Sequence, residues 1–165
     1  MPEKRQVFYS FHYEPDSWRT STVRSIGAIE GNKVVSDNDW EEVTGGGPEA
    51  IKKWIADQMK YRSCTIVLIG EKTAGRKWIN HEIIESWDSK MGVVGIYIHG
   101  LKNKDGYISN KGTNPFEKIN YGERKLSSVV DCYNPVGSNS KERYDWISKN
   151  IVSIVEKAIK TRNDN

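Results

Sequence analysis

The sequence has few of the residues that metal sites and disulfide bonds require. Its 165 residues include two cysteines and three histidines, and neither type is clustered. Cys64 and Cys132 each lie in or beside an apolar run, so we expect two buried free thiols rather than a disulfide. His12, His81 and His99 are scattered and do not give metal-ligand spacing. The sequence therefore predicts no metal site.

Long hydrophobic runs and blocks of like charge are also missing. Nowhere do about eighteen apolar residues run together, so no segment is expected to cross a membrane. The first residues, Met1–Gln6, are charged and lack the apolar region of a signal peptide, which predicts a cytoplasmic protein. The net charge of +3 comes from 25 basic and 22 acidic side chains, mixed along the chain. This mixture predicts no nucleic-acid partner and no anionic membrane partner.

Three motifs of common α/β enzymes are absent as well. Gly45–Gly47 is not followed by the Lys-Ser or Lys-Thr of a phosphate-binding loop, which favours a flexible loop ahead of a helix. The first strand is followed by His12-Tyr13-Glu14 rather than by the G-x-G-x-x-G fingerprint of dinucleotide-binding folds. A G-x-S-x-G nucleophile elbow is missing too. Hydride transfer of the Rossmann type is therefore disfavoured.

Strand-like runs and helical spacings alternate along the chain. Apolar runs predict five strands, at residues 7–11, 33–36, 64–69, 93–99 and 128–133. Helical spacing predicts four helices, ending near residue 29, starting at residue 48, covering 78–87 and covering about 139–161. The alternation indicates an α/β protein with a flavodoxin-like, five-stranded, mainly parallel sheet in the order 2-1-3-4-5 and helices on both faces. The length favours a single domain over residues 1–165, with its core at about 5–135.

Three details of this interpretation can be tested against the structure. The first helix is expected to bury Trp18, Thr22, Ile26 and Ile29. The segment 100–126 is polar and without periodicity, so we expect a long loop that is functional or mobile. The tail at 162–165 is expected to fray.

The region from Cys64 to Trp87 is central to the predicted fold and function. An apolar run of six residues is followed by a polar loop and then by a helix with Ile79, Ile83 and Trp87 on one stripe. Glu82 lies beside this stripe, near the carboxyl end of a central strand, where open α/β sheets bind ligands. Glu82 is therefore a candidate site residue; a solvent-facing glutamate is the alternative.

The predicted pocket lies among residues 10–14, 36–40 and 70–82. A lone carboxylate beside aromatic side chains suits N-glycosidic chemistry, because it can stabilise or attack an oxocarbenium-like ribosyl centre as the base departs. Phe11, Tyr13 or Trp40 could stack on a flat base, although core packing explains such aromatics equally well. Glu85 could share the site, or it could pair with a nearby lysine.

Five segments, taken together, resemble a known family. They are VFYSFHYE from Val7, TIVLIG from Thr65, RKWINHEI from Arg76, GIYIH from Gly95 and GTNPF from Gly112. In this order they resemble a bacterial TIR-like domain and, more narrowly, the ThsB type of the Thoeris antiphage defence system. The resemblance covers about residues 5 to 135.

This resemblance implies a fold, an activity and a partner. TIR domains have the flavodoxin-like arrangement predicted above. Catalytic members cleave the nicotinamide–ribose bond of NAD and can re-form the product as a cyclic ADP-ribose isomer. NAD would then be a substrate, with no resident cofactor. In the ThsB type, a diffusible nucleotide activates a separate effector protein that depletes NAD. Self-association is a further expectation.

The resemblance also implies roles for particular residues. The essential glutamate of the family falls on Glu82, which would be the catalytic residue, with Trp78 beside it. The other expected substrate-binding residues are Ser10, Phe11, His12, Tyr13, Asp37, Trp40 and Asn114. The segment 100–126 would be a closing lid with Asn114 at its contact point. The first strand continues into His-Tyr-Glu instead of the Asp-x-Asp of many eukaryotic TIR adaptors, so the partner surface of those adaptors is not carried over.

Two other functions remain open at this point. A nucleoside deoxyribosyltransferase-like enzyme also uses a glutamate on a flavodoxin-like fold, and nucleoside exchange would identify it. A non-enzymatic TIR-like interaction module would not need Glu82 for its biological activity.

Overall fold

The computed structural model describes residues 4–31 and 45–165, and a parallel sheet forms its centre. The strands are β1 Gln6–Phe11, β2 Glu30–Gly31, β3 Cys64–Ile69, β4 Gly92–Tyr97, β5 Asn120–Tyr121, β6 Arg124–Lys125 and β7 Cys132–Tyr133. The main sheet has the order β2-β1-β3-β4-β7, and every neighbouring pair is parallel. This confirms the predicted α/β class and the 2-1-3-4-5 arrangement. β5 and β6 form a separate antiparallel pair.

The two central strands are buried along their whole length. All six residues of β3 and all six of β4 are buried. Their sequences, CTIVLI and GVVGIY, have no charged side chain, as expected for strands covered on both faces. Helices α1 Tyr13–Arg24, α2 Gly47–Met59, α3 Lys77–Asp88 and α4 Ser140–Asp164 provide that cover.

Two pairs of helices cover opposite faces of the sheet. One hydrophobic cluster joins β1, β3 and β4 to α4 and to the region of α1, through residues such as Tyr9, Val23 and Ile151. Two further clusters join the other face to α3 and α2, through residues such as Phe8 and Ile83. Alternate residues of β1 thus belong to different layers, which is the period-two pattern of a strand.

The first helix differs from the prediction in its length and its buried face. It ends at Arg24 rather than near Ile29, because the chain turns back there towards β2. Ile26 and Ile29 are nonetheless buried, so their apolar spacing continues through the turn. Trp18 is 55% exposed and the buried positions of the helix are Asp16, Arg19, Thr20 and Val23. The prediction that Trp18 and Thr22 face the core was wrong, because a buried ion pair occupies that face instead.

The sheet edges also differ from the prediction. The predicted second strand at 33–36 lies outside the described residues, and the strand that pairs with β1 there is the two-residue β2. The predicted fifth strand at 128–133 is reduced to Cys132–Tyr133, because a 3₁₀ turn occupies Leu126–Ser128. The last helix continues to Asp164, so the tail does not fray at 162 as predicted.

The segment 100–126 contains regular structure that the sequence did not reveal. A 3₁₀ turn at Pro115–Lys118 precedes the β5–β6 pair. Phe116, Ile119 and Leu126 are buried against the α3 face of the sheet. The residues between Ile119 and Leu126 are mainly polar and include Gly122, so no continuous helix or strand pattern reveals these hydrophobic anchors.

Two further predictions concern the cysteines and membrane-spanning segments. Cys64 and Cys132 are both free thiols, as predicted; Cys64 is fully buried and Cys132 is partly buried. Among the described residues, no helix is long and apolar enough to span a membrane.

Candidate active site at the carboxyl edge of the sheet

The side chains at the end of β1 point alternately to the two faces of the sheet, and this alternation places Ser10 in the candidate site. Val7 and Tyr9 belong to the cluster on the α1 and α4 face, and Phe11 packs against it. Phe8 belongs to the opposite cluster, and strand alternation places Ser10 on that same face. Ser10 therefore points towards α3, where Glu82 lies.

Helix α3 is held against the sheet by its apolar stripe. Ile79, Ile83 and Trp87 are all buried against β3 and β4, as their spacing predicted. The helix starts after Arg76, whose extended backbone ends the loop from β3, and no side chain caps it. This packing turns the flank that carries Trp78 and Glu82 towards β1.

Glu82 is surrounded by protein although its side chain keeps some exposure to solvent. Burial raises its pKa from 4.5 to about 8, and the Ser10 hydroxyl opposes this shift weakly by stabilising the carboxylate. Among the described residues, no cation shifts its pKa. A carboxyl group in such an environment is neutral at neutral pH and gains stabilisation when a positive charge approaches.

Ser10 is fully buried and lies next to this carboxyl group. Within residues 4–31 and 45–165, its Oγ has no hydrogen-bond partner of ordinary geometry. The hydroxyl is close enough to influence Glu82 but is not committed to a structural bond. Thr20 and Ser109 also have such hydroxyls, so it is the position beside Glu82 that makes Ser10 a candidate for meeting a ligand.

His12 follows β1 and stands before the first residue of α1. It does not cap that helix with its side chain. Burial lowers its pKa, and the charges of Arg76 and Lys72 lower it further while Glu14 opposes them. His12 is therefore neutral at physiological pH, and two cations of the β3–α3 loop act on it through space. Two of the three charged groups that act on His12 are positive, and we call this region, beside Ser10, the basic entrance.

The aromatic candidates are divided between the two layers. Trp78 is half-buried beside α2; its ring lies 5.0 Å from Lys77 Nζ and makes an edge contact with His81 at 5.6 Å. Phe11 and Tyr13 lie 6.3 Å apart, centroid to centroid, and Phe11 packs on the α1 and α4 side. The structure thus brings Trp78 to the side of Glu82 but places Phe11 on the opposite layer. Tyr13 begins α1 and is partly exposed.

The remaining predicted substrate-binding residues do not join this group. Asp37 and Trp40 lie outside the described residues. The Asn114 side chain accepts a hydrogen bond from the Phe116 backbone N–H at 2.8 Å and caps the 3₁₀ turn. A role of Asn114 in binding stays a prediction, since its known contact is local.

The start of segment 100–126 is fastened to the carboxyl edge of the sheet. The guanidinium of Arg19 donates to the carbonyl of Leu101 at 2.7 Å and to that of Tyr107 at 2.9 Å. The backbone N–H of Asn110 donates to the Glu71 carboxylate at 2.9 Å. This part of the chain is anchored rather than free to open. We name residues 101–112 the strap.

Sequence reasoning missed the ion pair that anchors this strap. Asp16 and Arg19 are both nearly inaccessible, and Asp16 Oδ1 accepts a hydrogen bond from Arg19 Nη1 at 2.9 Å. The Asp16 carboxylate packs so closely on Gly70 that a side chain at position 70 would collide with it. The i,i+3 spacing of Asp and Arg was the available signal, but such pairs usually lie on exposed helix faces. Lys72 and Arg76 were also missed as candidates.

A groove elsewhere on the protein is not part of this site. It lies between α1 and α4, has a volume of about 600 Å³ and is lined by Trp18, Lys102, Tyr144 and neighbouring residues. These helices cover the face of the sheet opposite Glu82. In the described parts of the chain, no cluster of His, Cys, Asp or Glu could hold a metal ion.

Two comparisons with known proteins agree on the relationship of this chain. One relative, from Bacillus cereus (strain MSX-D12), is named "Putative cyclic ADP-D-ribose synthase ThsB1". It is 29% identical over 161 residues, which cover 94% of this chain and 84% of that protein. The family model described as "Thoeris protein ThsB, TIR-like domain" matches residues 8–103, a range that contains Ser10, Trp78 and Glu82. The chain belongs to the ThsB family of TIR-like proteins.

Proposed function

We propose that this protein processes NAD in antiphage defence, cleaving the nicotinamide–ribose bond and releasing a cyclic ADP-ribose. Membership of the ThsB family and the name of the Bacillus cereus relative support this activity. The observation that carries it is the buried Glu82 carboxyl group, which faces the uncommitted Ser10 hydroxyl and has a pKa raised to about 8. NAD is a substrate in this proposal, and no resident cofactor or metal takes part.

The environment of Glu82 suits the charge that this reaction develops. The nicotinamide ring of NAD⁺ is cationic, and its approach favours the ionised carboxylate over the neutral acid. As the bond from C1′ to nitrogen breaks, its electron pair neutralises the nicotinamide ring and positive charge moves to the ribose. A carboxylate fixed in a poorly solvated site stabilises that charge more strongly than it would in water. Ser10 would then donate to the carboxylate or to a ribose hydroxyl.

Other residues of the site fit the remaining parts of a dinucleotide. Lys72 and Arg76, which face His12, supply positive charge for the diphosphate. Trp78 presents an aromatic ring beside Glu82 for the nicotinamide or the ribose. Capture of C1′ by the folded-back adenosine end would give a cyclic product, whereas capture by water would give a linear one. The strap, fastened at the edge of this site, limits the access of water.

The product would act through a partner. A cyclic nucleotide that diffuses to a cognate effector needs no direct contact between the two proteins. A cytoplasmic location would give the protein access to the NAD that it uses in this proposal. Self-association is compatible with this function.

The decisive experiment compares wild type with Glu82→Gln. Small molecules formed from NAD are identified by mass spectrometry, with and without lysate of phage-infected cells. We expect nicotinamide and a cyclic ADP-ribose isomer from wild type only. Asp88→Asn is the matched control, because Asp88 lies on the same helix, is exposed at its end and is not a candidate for the site.

Each other result has a definite meaning. Absence of nicotinamide release from wild type under both conditions would contradict the proposal and favour a TIR-like interaction module. Exchange of bases between nucleosides without NAD turnover would indicate a deoxyribosyltransferase-like enzyme. Equal loss in the Glu82→Gln and Asp88→Asn variants would show that the helix is sensitive to any change, rather than that Glu82 acts on NAD.

A further inference from the structure

Two buried hydroxyl groups link the sheet to the backbone of Glu82. Ser86 Oγ donates to the backbone carbonyl of Glu82 at 2.7 Å, and it lies 2.6 Å from Thr65 Oγ1. Thr65 is on β3 and Ser86 on α3, and both residues are completely inaccessible to solvent. The chain of bonds therefore runs from the central strand, through the helix side chain, to the residue that carries the candidate catalytic carboxylate.

The donor in each of these hydrogen bonds follows from the number of hydroxyl hydrogens. A serine hydroxyl has one hydrogen. Since Ser86 gives its hydrogen to the Glu82 carbonyl, Thr65 must donate to Ser86 Oγ. Met59 Sδ, on α2, is 3.7 Å from the same oxygen and adds a weak polar contact from the neighbouring helix. Both hydroxyls are thus satisfied. Loss of the Ser86 hydroxyl removes the acceptor of Thr65, and loss of the Thr65 hydroxyl removes the bond that connects Ser86 to the sheet.

The other contacts of α3 with the sheet are of a different kind. Ile79, Ile83 and Trp87 pack against it through apolar surface, which favours burial but tolerates small rotations and shifts. The Trp87 carbonyl accepts a hydrogen bond from Arg162 Nε at 2.9 Å, but that bond is at the far end of the helix and comes from α4. A directional bond to β3 next to Glu82 is what fixes the rotation of the helix at that point.

We propose that Thr65 and Ser86 are positioning residues that set the depth and rotation of the Glu82 carboxyl group. They touch no substrate and act only through the helix. The proposal rests on the catalytic role of Glu82 argued above. Its consequence is that loss of the link moves the carboxyl group towards solvent and away from its working position.

The test uses three variants that change the Thr65–Ser86 hydrogen bond, and one control. Thr65→Val keeps the shape of the side chain and removes the hydroxyl, Ser86→Ala removes the relay, and Thr65→Ser keeps a hydroxyl in place. Ser153→Ala is the control, because Ser153 Oγ donates to the Asn150 carbonyl at 2.9 Å in a similar helical bond on the exposed side of α4. Each variant is measured for NAD turnover and, by NMR, for the pKa of the Glu82 carboxyl group.

The expected results separate positioning from simple destabilisation. Thr65→Val and Ser86→Ala should lower kcat by about tenfold to a hundredfold with a smaller change in KM, since misplacement of a reacting group costs rate. In both, the pKa of Glu82 should fall from about 8 towards 4.5 as water reaches the carboxyl group. Thr65→Ser should restore most of kcat, and Ser153→Ala should match wild type.

Two outcomes would overturn the proposal. One is an unchanged kcat and an unchanged Glu82 pKa in folded Thr65→Val and Ser86→Ala proteins. The other is failure of Thr65→Ser to restore either quantity, which would show that the methyl group matters instead. If wild type does not turn over NAD, the proposed function fails, but the NMR measurement still decides whether the link controls the environment of Glu82.

Discussion

Two carboxyl groups, Asp16 fully buried and Glu82 half-buried, lie on opposite layers of the sheet and differ in their neighbours. Asp16, on α1, accepts a hydrogen bond from Arg19, whose guanidinium also binds three backbone carbonyls. Among the described residues, the Ser10 hydroxyl alone opposes the raised pKa of Glu82, on α3. Burial raises the pKa of both groups, and in the described parts of the chain a cation opposes it for Asp16 but not for Glu82. One carboxyl group is part of a structural joint, and in the proposed function the other meets the charge that arrives with NAD.

The difference shows how a buried ionisable group can be interpreted. A buried charge that is paired and hydrogen-bonded fastens one part of a fold to another, as Asp16 and Arg19 fasten the strap. A buried carboxyl group without a cation costs stability and is retained where function needs it. The comparison therefore predicts different outcomes for two substitutions. Replacing Glu82 should reduce activity, and replacing Arg19, the partner of Asp16, should reduce stability.

The largest expected effect is on activity in Glu82→Gln. The amide keeps the shape of the carboxyl group but cannot carry the negative charge that stabilises the ribosyl cation. NAD turnover should fall by about a thousandfold, the loss typical of removing one electrostatic stabiliser from an active site. Denaturant unfolding at pH 8 should show equal or greater stability than wild type. A clear loss of stability would contradict the comparison.

Arg19→Met should give the largest loss of stability. It removes the cation, leaves Asp16 buried without its partner and frees the carbonyls of Leu101 and Tyr107. Breaking a buried pair in this way costs about 3–5 kcal/mol, measurable by urea unfolding. Hydrogen exchange should increase first in the strap.

Arg5→Met is the control for this measurement. Arg5 pairs with Glu156 at 2.8 Å, but both side chains are nearly half exposed. Exposed pairs contribute about 0–1 kcal/mol, so the control should be nearly as stable as wild type. Equal losses in the two variants would show that the burial of the Arg19 pair is unimportant.

The sequence predicted the sheet well, because burial on both faces produces a simple pattern. The continuous apolar runs of β3 and β4 identified the central strands, and alternation with helices implied parallel order. The stripe of Ile79, Ile83 and Trp87 in turn placed Glu82 beside β1. Helical spacing is thus enough to show which edge of the sheet a side chain approaches when the helix has a single clear apolar face.

Prediction failed where polar groups are buried or where long-range contacts decide. The inner face of α1 holds Asp16 and Arg19, so a search for apolar residues selected the exposed Trp18 instead. The anchoring of the strap depends on bonds between residues 39 to 88 positions apart, such as Arg19 and Leu101. No local pattern carries that information.

The pH dependence of activity and of stability should both reveal the raised pKa of Glu82. If the ionised form of Glu82 is active, kcat/KM for NAD should rise by about tenfold per pH unit and level off above a pKa near 8. Between about 4.5 and about 8 the folded protein binds the Glu82 proton more tightly than the unfolded chain does, so the unfolding free energy should fall as pH rises. Glu82→Gln should lose this contribution to the pH dependence of stability. A wild-type rate independent of pH from 6 to 9 would contradict the proposed environment.

The smallest effect is expected at the basic entrance. Lys72 and Arg76 are exposed and act on His12 through space, so their attraction for a diphosphate is weakened by solvent and salt. Lys72→Glu or Arg76→Glu should raise KM for NAD about fivefold at low ionic strength while kcat changes little, and added salt should reduce the difference. Lys160→Glu, on the exposed side of α4, is the control for net charge. An equal rise of KM in the control would show that net charge, rather than these two cations, controls binding. A fall in kcat as large as that of Glu82→Gln would show that Lys72 and Arg76 act on the reaction itself instead of attracting the diphosphate.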